Sequence, residues 1–252
     1  MDRTLRQSLW LRLRERARCS VAGLRRRLKL GAGDWDASPS AGIEQRRYQS
    51  YAEYVALQRA KLNMLRPAWL KNYDQRYHAA LQERLCGHQL VAPGASVLCL
   101  AARIGTEVRA FLDTGCFAVG IDLNPGAENR YVVTGDFHGL QYPNHCVDVV
   151  FTNSLDHALD LPRLLLEIQR VLKPGGLLVL EIAAGEADGR SAGFYEATRW
   201  DSVQDILALF LEQHFTVEVR QPFRTPWPGE HVVLRASALP AATAECPGAR
   251  SG

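Results

Sequence analysis

The chain of 252 residues has no apolar run approaching the roughly 18 residues that a membrane-crossing helix needs. It has no secretory h-region either, because arginines interrupt every candidate segment near its amino terminus. The expectation is a cytoplasmic protein. Its six cysteines (Cys19, Cys86, Cys99, Cys116, Cys146 and Cys246) form no C-x-x-C and no paired spacing, so neither a zinc site nor a disulfide framework is expected. Cys99, Cys116 and Cys146 fall on or beside predicted strands, where a free thiol behaves as a small hydrophobe. There is no internal repeat and no aromatic RNA-stacking motif, so nothing specific points to nucleic acid.

Charge is present but unevenly placed. Residues 1–30 hold ten arginines and lysines against Asp2 and Glu15, a balance of +8, so the other 222 residues sum to −5 within a chain of +3. Leucines and small apolar residues recur about every four positions in that segment, giving a basic amphipathic arm. Three readings of the arm stay open. It lies peripherally on an anionic inner membrane face, it binds a partner or nucleic acid by charge, or it packs on the domain with its arginines solvated. Its Arg-rich, acid-poor composition also resembles an organelle transit peptide.

Residues 31–42 are small and polar, broken by Pro39, and read as a linker. Residues 43–90 read as a cap of two or three helices, with tyrosines at 48, 51, 54, 73 and 77 on their apolar faces. Residues 91–236 hold the main domain, and 237–252 read as a disordered tail.

The main domain alternates strand and helix. VLCLAARIGTE (97–107) is an apolar strand, a turn and a helix start, and FAVGIDL (117–123) is a second strand with Asp122 near its carboxyl end. In open α/β sheets ligands sit beyond those ends, and an acid there is placed to hold two ribose hydroxyls. YVVTGDF (131–137) reads as a third strand and VDVVFTNSLDH (147–157) as a fourth ending in a polar cluster. LLLEIQRVLKPGG (164–176) reads as an amphipathic helix stopped by Pro174 and a Gly-Gly C-cap, with another strand after it. Trp200 to Phe215 reads as a helix, followed by a closing antiparallel hairpin from FTVEVRQPF and EHVVLRA. The pattern predicts a mostly parallel sheet covered on both faces.

Four of these segments, in order, resemble the class I S-adenosylmethionine-dependent methyltransferases: VLCLAARIGTE, GIDLNP, GDF and RVLKPGGLLVLEI, within residues 95–183. The resemblance implies an α/β Rossmann-like sheet with an antiparallel hairpin at its carboxyl-terminal edge and amino-terminal helical additions, which either cover the cofactor cleft and line the acceptor site or simply pack an amphipathic face on the domain. It implies S-adenosylmethionine (SAM) as cofactor, bound by Ala101, Arg103, Gly105, Asp122, Leu123, Asp136, Phe137, Asn153 and Ser154. Asp122 would take the ribose hydroxyls, Asp136 the adenine amino group and Phe137 the ring. His157 would be a general base, with Asp156 as its orienter. Since neighbours on a helix do not face each other, Ser154 or Asp156 reads equally as a helix cap.

The departures are concentrated in one loop. Cys99 stands where an acid is common in the family, and Ala101 and Arg103 stand where two glycines are expected; only Gly105 remains. Arg103 then either clamps the carboxylate of the cofactor's methionine or obstructs the pocket. No N-P-P-type signature follows the fourth strand. The expected acceptor is a hydroxyl or carboxyl of a small molecule or of a lipid- or sugar-linked metabolite. Two other readings are a non-catalytic binding protein on the same fold and a dinucleotide-dependent reductase; the reductase is disfavoured because G-x-G-x-x-G is absent.

Overall fold

The structure, a computed structural model, describes residues 35–37, 42–64 and 67–237. The basic arm, most of the linker and nearly all of the expected tail lie outside the described residues.

Alternation of side chains along each strand builds the domain. On β3 (Ser96–Leu100), Val97 and Cys99 point to one face while Leu98 and Leu100 point to the other, and all four are buried. Both faces therefore carry a hydrophobic layer, as a parallel sheet requires. The first layer joins Leu98, Leu100 and Val150 to α4 (Leu161–Val171) and α5 (Val203–Glu212). The second joins Val97, Cys99, Val149 and Phe151 to α2 (Pro67–His88) and α3 (Thr106–Asp113).

Completing the main sheet are β4 (Phe117–Asp122), β5 (Val132–Thr134), β6 (Val147–Thr152), β7 (Leu172–Ala183), β9 (Phe215–Phe223) and β10 (Gly229–Ala236). Their order is β5-β4-β3-β6-β7-β10-β9. Pairing is parallel from β5 to β7, and β10 runs antiparallel to both β7 and β9. The strand order turns back at β3, and the crevice between β4 and β6 opens there. This is the Rossmann-like sheet with a closing hairpin that the pattern predicted. No described helix is long and apolar enough to cross a membrane.

Several boundaries differ from the sequence reading. The stretch read as linker holds β1 (Trp35–Ala37), and Ile43–Arg46 forms β2, where a helix was expected to begin. β2 pairs with β1 and with β8 (Thr198–Trp200), setting Ile43 opposite Trp200. Its partner lies some 150 residues away, beyond the reach of local periodicity. Trp200, read as a helix start, belongs to that strand, and α5 begins at Val203 behind the Ser202–Asp205 capping box. The helix read as ending at a Gly-Gly cap stops earlier, at Val171, because Leu172 onward already pairs with β6. The GDF segment lies beyond the end of β5, in a turn.

The amino-terminal cap is two helices, α1 (Tyr51–Met64) and α2. α2 starts at Pro67, suited to a first turn that needs no N–H partner. It lays Tyr77, Leu81 and Leu85 onto the sheet, while α1 crosses the carboxyl ends of the strands.

Candidate active site

A cleft of about 540 Å³, open solvent included, lies beyond the ends of β3, β4 and β6. Its walls include Ala101, Arg103, Asp122, Leu123, Phe137, Ser154 and His157, seven of the residues singled out from sequence. Gly135 and Asn124 join them from the loops, and Tyr54, Gln58 and Lys61 of α1 form the roof.

Asp122 organises the sheet side. One carboxylate oxygen accepts the backbone N–H of Arg103 at 2.9 Å, and the other accepts that of Asn124 at 2.7 Å. Each oxygen keeps acceptor capacity towards the cleft. The Arg103 carbonyl is held by Asn129 Nδ2 at 3.1 Å, so the backbone of the altered loop is tied down on both sides.

That loop keeps the conformation of a glycine loop without most of its glycines. Ala101, Arg103 and Gly105 all have positive φ, at 53°, 44° and 81°. At Gly105 the requirement is steric as well, since an added Cβ would lie 2.8 Å from that of Tyr131. At 101 and 103, side-chain-bearing residues occupy left-handed backbone that glycine adopts at no cost. The positive φ of Ala101 means that the strain is present at that position. The Arg103 guanidinium makes no hydrogen bond or ion pair with any described residue, and it projects along the boundary between the cleft and a neighbouring cavity.

Two of the expected ligand residues are turned to other work. Asp136 does not line the cleft. Its carboxylate accepts from the Tyr51 hydroxyl and from the His138 backbone N–H at 2.9 Å, with His138 Nδ1 at 3.0 Å. Burial opposes its charge, but the bonds from His138 and Tyr51 outweigh that and hold its carboxyl at about 2. Asp136 thus latches α1 to the loop after β5, and Gly135 and Phe137 are the cleft-facing members of that turn. Asn153 points beneath the glycine loop, donating to Tyr77 Oη at 2.8 Å and to Glu107 Oε1 at 3.0 Å.

The opposite wall is crowded with ionisable groups. His157 ends a short 3-10 turn (Leu155–His157); Ser154 precedes that turn but its side chain makes no capping bond. His157 Nδ1 donates to Tyr195 O at 2.9 Å, which leaves the Nε2 lone pair to accept from Lys61 Nζ. Burial lowers the imidazole pKa to about 4, with Lys61 adding to the effect. Burial also lowers Lys61 itself to about 7, assisted by repulsion from Arg103. Both ring nitrogens of His157 are engaged, and the titratable nitrogen bordering the cleft near neutral pH is Lys61. Asp156 lies 3.9 Å from His157 Nε2, beyond hydrogen-bond reach, and pairs instead with Arg190 at 3.0 Å.

Sequence reasoning allowed a helical cap over the cleft but did not single out Gln58 or Lys61 as its lining. The signal was present, since Tyr54, Gln58 and Lys61 are spaced four and three residues apart on one helix face. The roof is fastened along its length. Tyr54 Oη donates to His157 O at 3.0 Å, Gln58 Nε2 to Tyr195 O at 2.7 Å, and Asn124 Nδ2 reaches Arg59 O at 2.6 Å.

Residues 98–180 match the family model described as a methyltransferase domain. A sterol 24-C-methyltransferase of Gibberella zeae is 26% identical over 165 residues, 54% of this chain and 43% of that protein. A malonyl-[acyl-carrier protein] O-methyltransferase of Serratia marcescens is 31% identical over 122 residues, 42% of this chain and 48% of that protein. The chain spans a little under half the length of the curated relatives it matches. Among solved structures, a Burkholderia thailandensis 1,6-didemethyltoxoflavin-N1-methyltransferase, with bound 1,6-didemethyltoxoflavin and S-adenosylhomocysteine, superposes at a TM-score of 0.60. It is 18% identical and covers 81% of this chain and 100% of its own. The [4+2]-cyclase SpnF shares the fold at a TM-score of 0.52 and 16% identity, covering 64% of this chain and 81% of its own. The domain match, the order of the strands and the cleft at their carboxyl ends agree: residues 98–180 match a methyltransferase domain, and the chain has the Rossmann-like fold of the class I S-adenosylmethionine-dependent methyltransferases.

Proposed function

We propose that this protein binds SAM in the cleft and transfers its methyl group to a hydroxyl or carboxyl oxygen of a small-molecule or lipid- or sugar-linked acceptor. The observation that carries the reading is Asp122, whose two carboxylate oxygens are steadied by backbone N–H groups yet keep acceptor capacity facing the cleft. The residues suit the cofactor. Asp122 would hold the ribose hydroxyls, Leu123 and Phe137 would flank the adenine, and Arg103 would meet the carboxylate of the methionine tail.

SAM supplies an activated sulfonium methyl, so the protein's task is to bind, aim and exclude water. α1 closes the cleft over the reacting region, with Lys61 beside His157 and Ser154. A neutral Lys61 amine can take the proton that a hydroxyl acceptor sheds, and His157 positions that amine by accepting one of its N–H bonds. A carboxylate acceptor needs no base, and Lys61 would then hold its charge.

Fold alone does not carry the activity. Calorimetric titration with S-adenosylhomocysteine and, separately, with NADH tests the reading directly. Binding of the first and not the second is expected; binding of NADH alone would favour the reductase, and binding of neither would leave a scaffold. Transfer of radiolabel from SAM to sterol, acyl-thioester and phenolic acceptors then sorts the acceptor classes.

A further inference from the structure

Two largely buried carboxylates stand behind the cleft wall that holds Lys61, and neither engages it. Asp156 precedes His157 in the 3-10 turn, and its Oδ1 lies 3.9 Å from His157 Nε2, the nitrogen that accepts from Lys61 Nζ. Glu196 adjoins Tyr195, whose carbonyl accepts from His157 Nδ1. The two acid side chains are only 11% and 13% exposed. Water screens charges poorly at such sites, so an ammonium and a carboxylate attract strongly. Lys61 nevertheless forms no ion pair with either acid among the described residues.

The reason is Arg190, on the loop after β7. Its Nη2 donates to Asp156 Oδ2 at 3.0 Å and to Glu196 Oε1 at 2.7 Å, so one guanidinium occupies both acids. The Asp156 carboxylate therefore sits between two cations, with Oδ2 on Arg190 and Oδ1 on the side of His157 and Lys61. The course of the loop has other supports. Arg46 donates to Glu196 O at 2.8 Å and to Gly193 O at 2.9 Å, and the Ala197 N–H donates to Asp156 O at 2.7 Å. Burial and repulsion from Arg103 lower Lys61 to about 7, while Asp156, Glu196 and, across the cleft, Asp122 act in the opposite sense. A carboxylate released from Arg190 would tip that balance towards the ammonium, which has no lone pair to take a proton.

We propose that Arg190 is a positioning residue of the active site: by holding Asp156 and Glu196 together it withholds both carboxylates from Lys61 and leaves that amine free to serve the methyl acceptor. The proposal rests on the reading of Lys61 as the group that meets the acceptor. Arg190 does not line the cleft and acts through the two acids.

The test reads the protonation of Lys61 in the full chain. Trace acetic anhydride acetylates neutral amines, and its reaction with Lys61 is followed by mass spectrometry from about pH 6 to pH 10, against the exposed Lys71 as reference. In the wild type the Lys61 midpoint should fall at about 7. Arg190→Gln should raise it by about 1–2 pH units, the effect of an opposite charge brought close. The triple variant Arg190→Gln, Asp156→Asn, Glu196→Gln removes the freed acids as well, and should return the midpoint to the wild-type value or below. A midpoint unmoved by Arg190→Gln would overturn the proposal. So would one that stays raised in the triple variant, since the rise would then come from water entering a loosened loop. Should Arg190→Gln fail to fold, Asp156→Asn with Glu196→Gln decides. With Arg190 kept and both acids gone, the midpoint must drop below that of the wild type, and an unchanged or higher one overturns the proposal. Calorimetry with S-adenosylhomocysteine keeps the two readings apart. Arg190→Gln should bind it as the wild type does; if the wild type does not bind it, the cofactor reading fails while the labelling still decides the role of Arg190.

Discussion

The sheet side of the cleft and its roof are built in different ways. On the sheet side the shape comes from backbone. The loop after β3 holds three positive φ values, and Asp122 grips two peptide N–H groups. Such a surface tolerates replacement of side chains, and the replacement of two expected glycines by alanine and arginine leaves its course intact. The roof is made by side chains from distant parts of the sequence: Lys61 donates to His157, and His157 and Gln58 both donate to the backbone carbonyl of Tyr195. Each of these contacts has a side chain on at least one side, so each depends on residue identity. The comparison teaches that motif damage on the sheet side says little about binding, whereas one substitution in the roof alters the chemistry offered to an acceptor.

The largest effect should come from the sheet side. Asp122→Ala removes both the proposed ribose acceptor and the anchor for Arg103 and Asn124, and S-adenosylhomocysteine binding should fall by about 1–3 kcal/mol in calorimetry. Unchanged affinity would remove Asp122 from the ribose role and, with it, the primacy of the sheet side. Arg103→Gly is the next test. It relieves backbone strain and deletes a charge; if the guanidinium clamps a carboxylate, affinity drops by about 1–2 kcal/mol and the loss shrinks with added salt. Tighter binding in that variant would mean that Arg103 obstructs the pocket.

Lys61→Met sharpens the comparison from the roof side. In the fold the Lys61 pKa is lowered from 10.5 to about 7. Between those values the unfolded chain carries a proton that the folded chain does not, so this group makes stability rise with pH across that window. Thermal unfolding of the wild type should show the rise from pH 7 to 9.5 relative to Lys61→Met, with cofactor-product affinity little changed. Parallel pH curves for the two proteins would remove the lowered pKa from the account. The smallest effect is expected for Ala101→Gly. Relief of the positive φ is offset by a more flexible unfolded chain, leaving stability unchanged or raised by up to about 1 kcal/mol. A drop of more than that in urea unfolding would mean that the loop draws on the alanine methyl for packing.

Most of the sheet could be read in advance because its information is local. The runs of Val97–Leu100 and Val147–Thr152, the alternation in β10 and the amphipathic stripe of α4 each specify an element within a few residues. The errors fall where pairing is long-range, as in β2 against β8, or where a strand claims residues that locally favour a helix stop, as in β7 after Val171. Asp136 shows the same limit within the site. Its position beside Gly135 and Phe137 is a motif feature, but its partner Tyr51 comes from a helix 85 residues earlier in the chain.

Local spacing was enough to indicate a mostly parallel sheet and the acid at the end of β4, because strands and turns are specified by near neighbours. Tertiary structure alone decided what His157, Glu107 and Lys61 are. Burial makes His157 a neutral bridge with both nitrogens in use, Glu107 an acid with one oxygen unpartnered among the described residues, and Lys61 an amine poised near neutrality. Those properties depend on desolvation and on the charges that converge from distant segments, and neither quantity is written in the order of residues along a strand or helix.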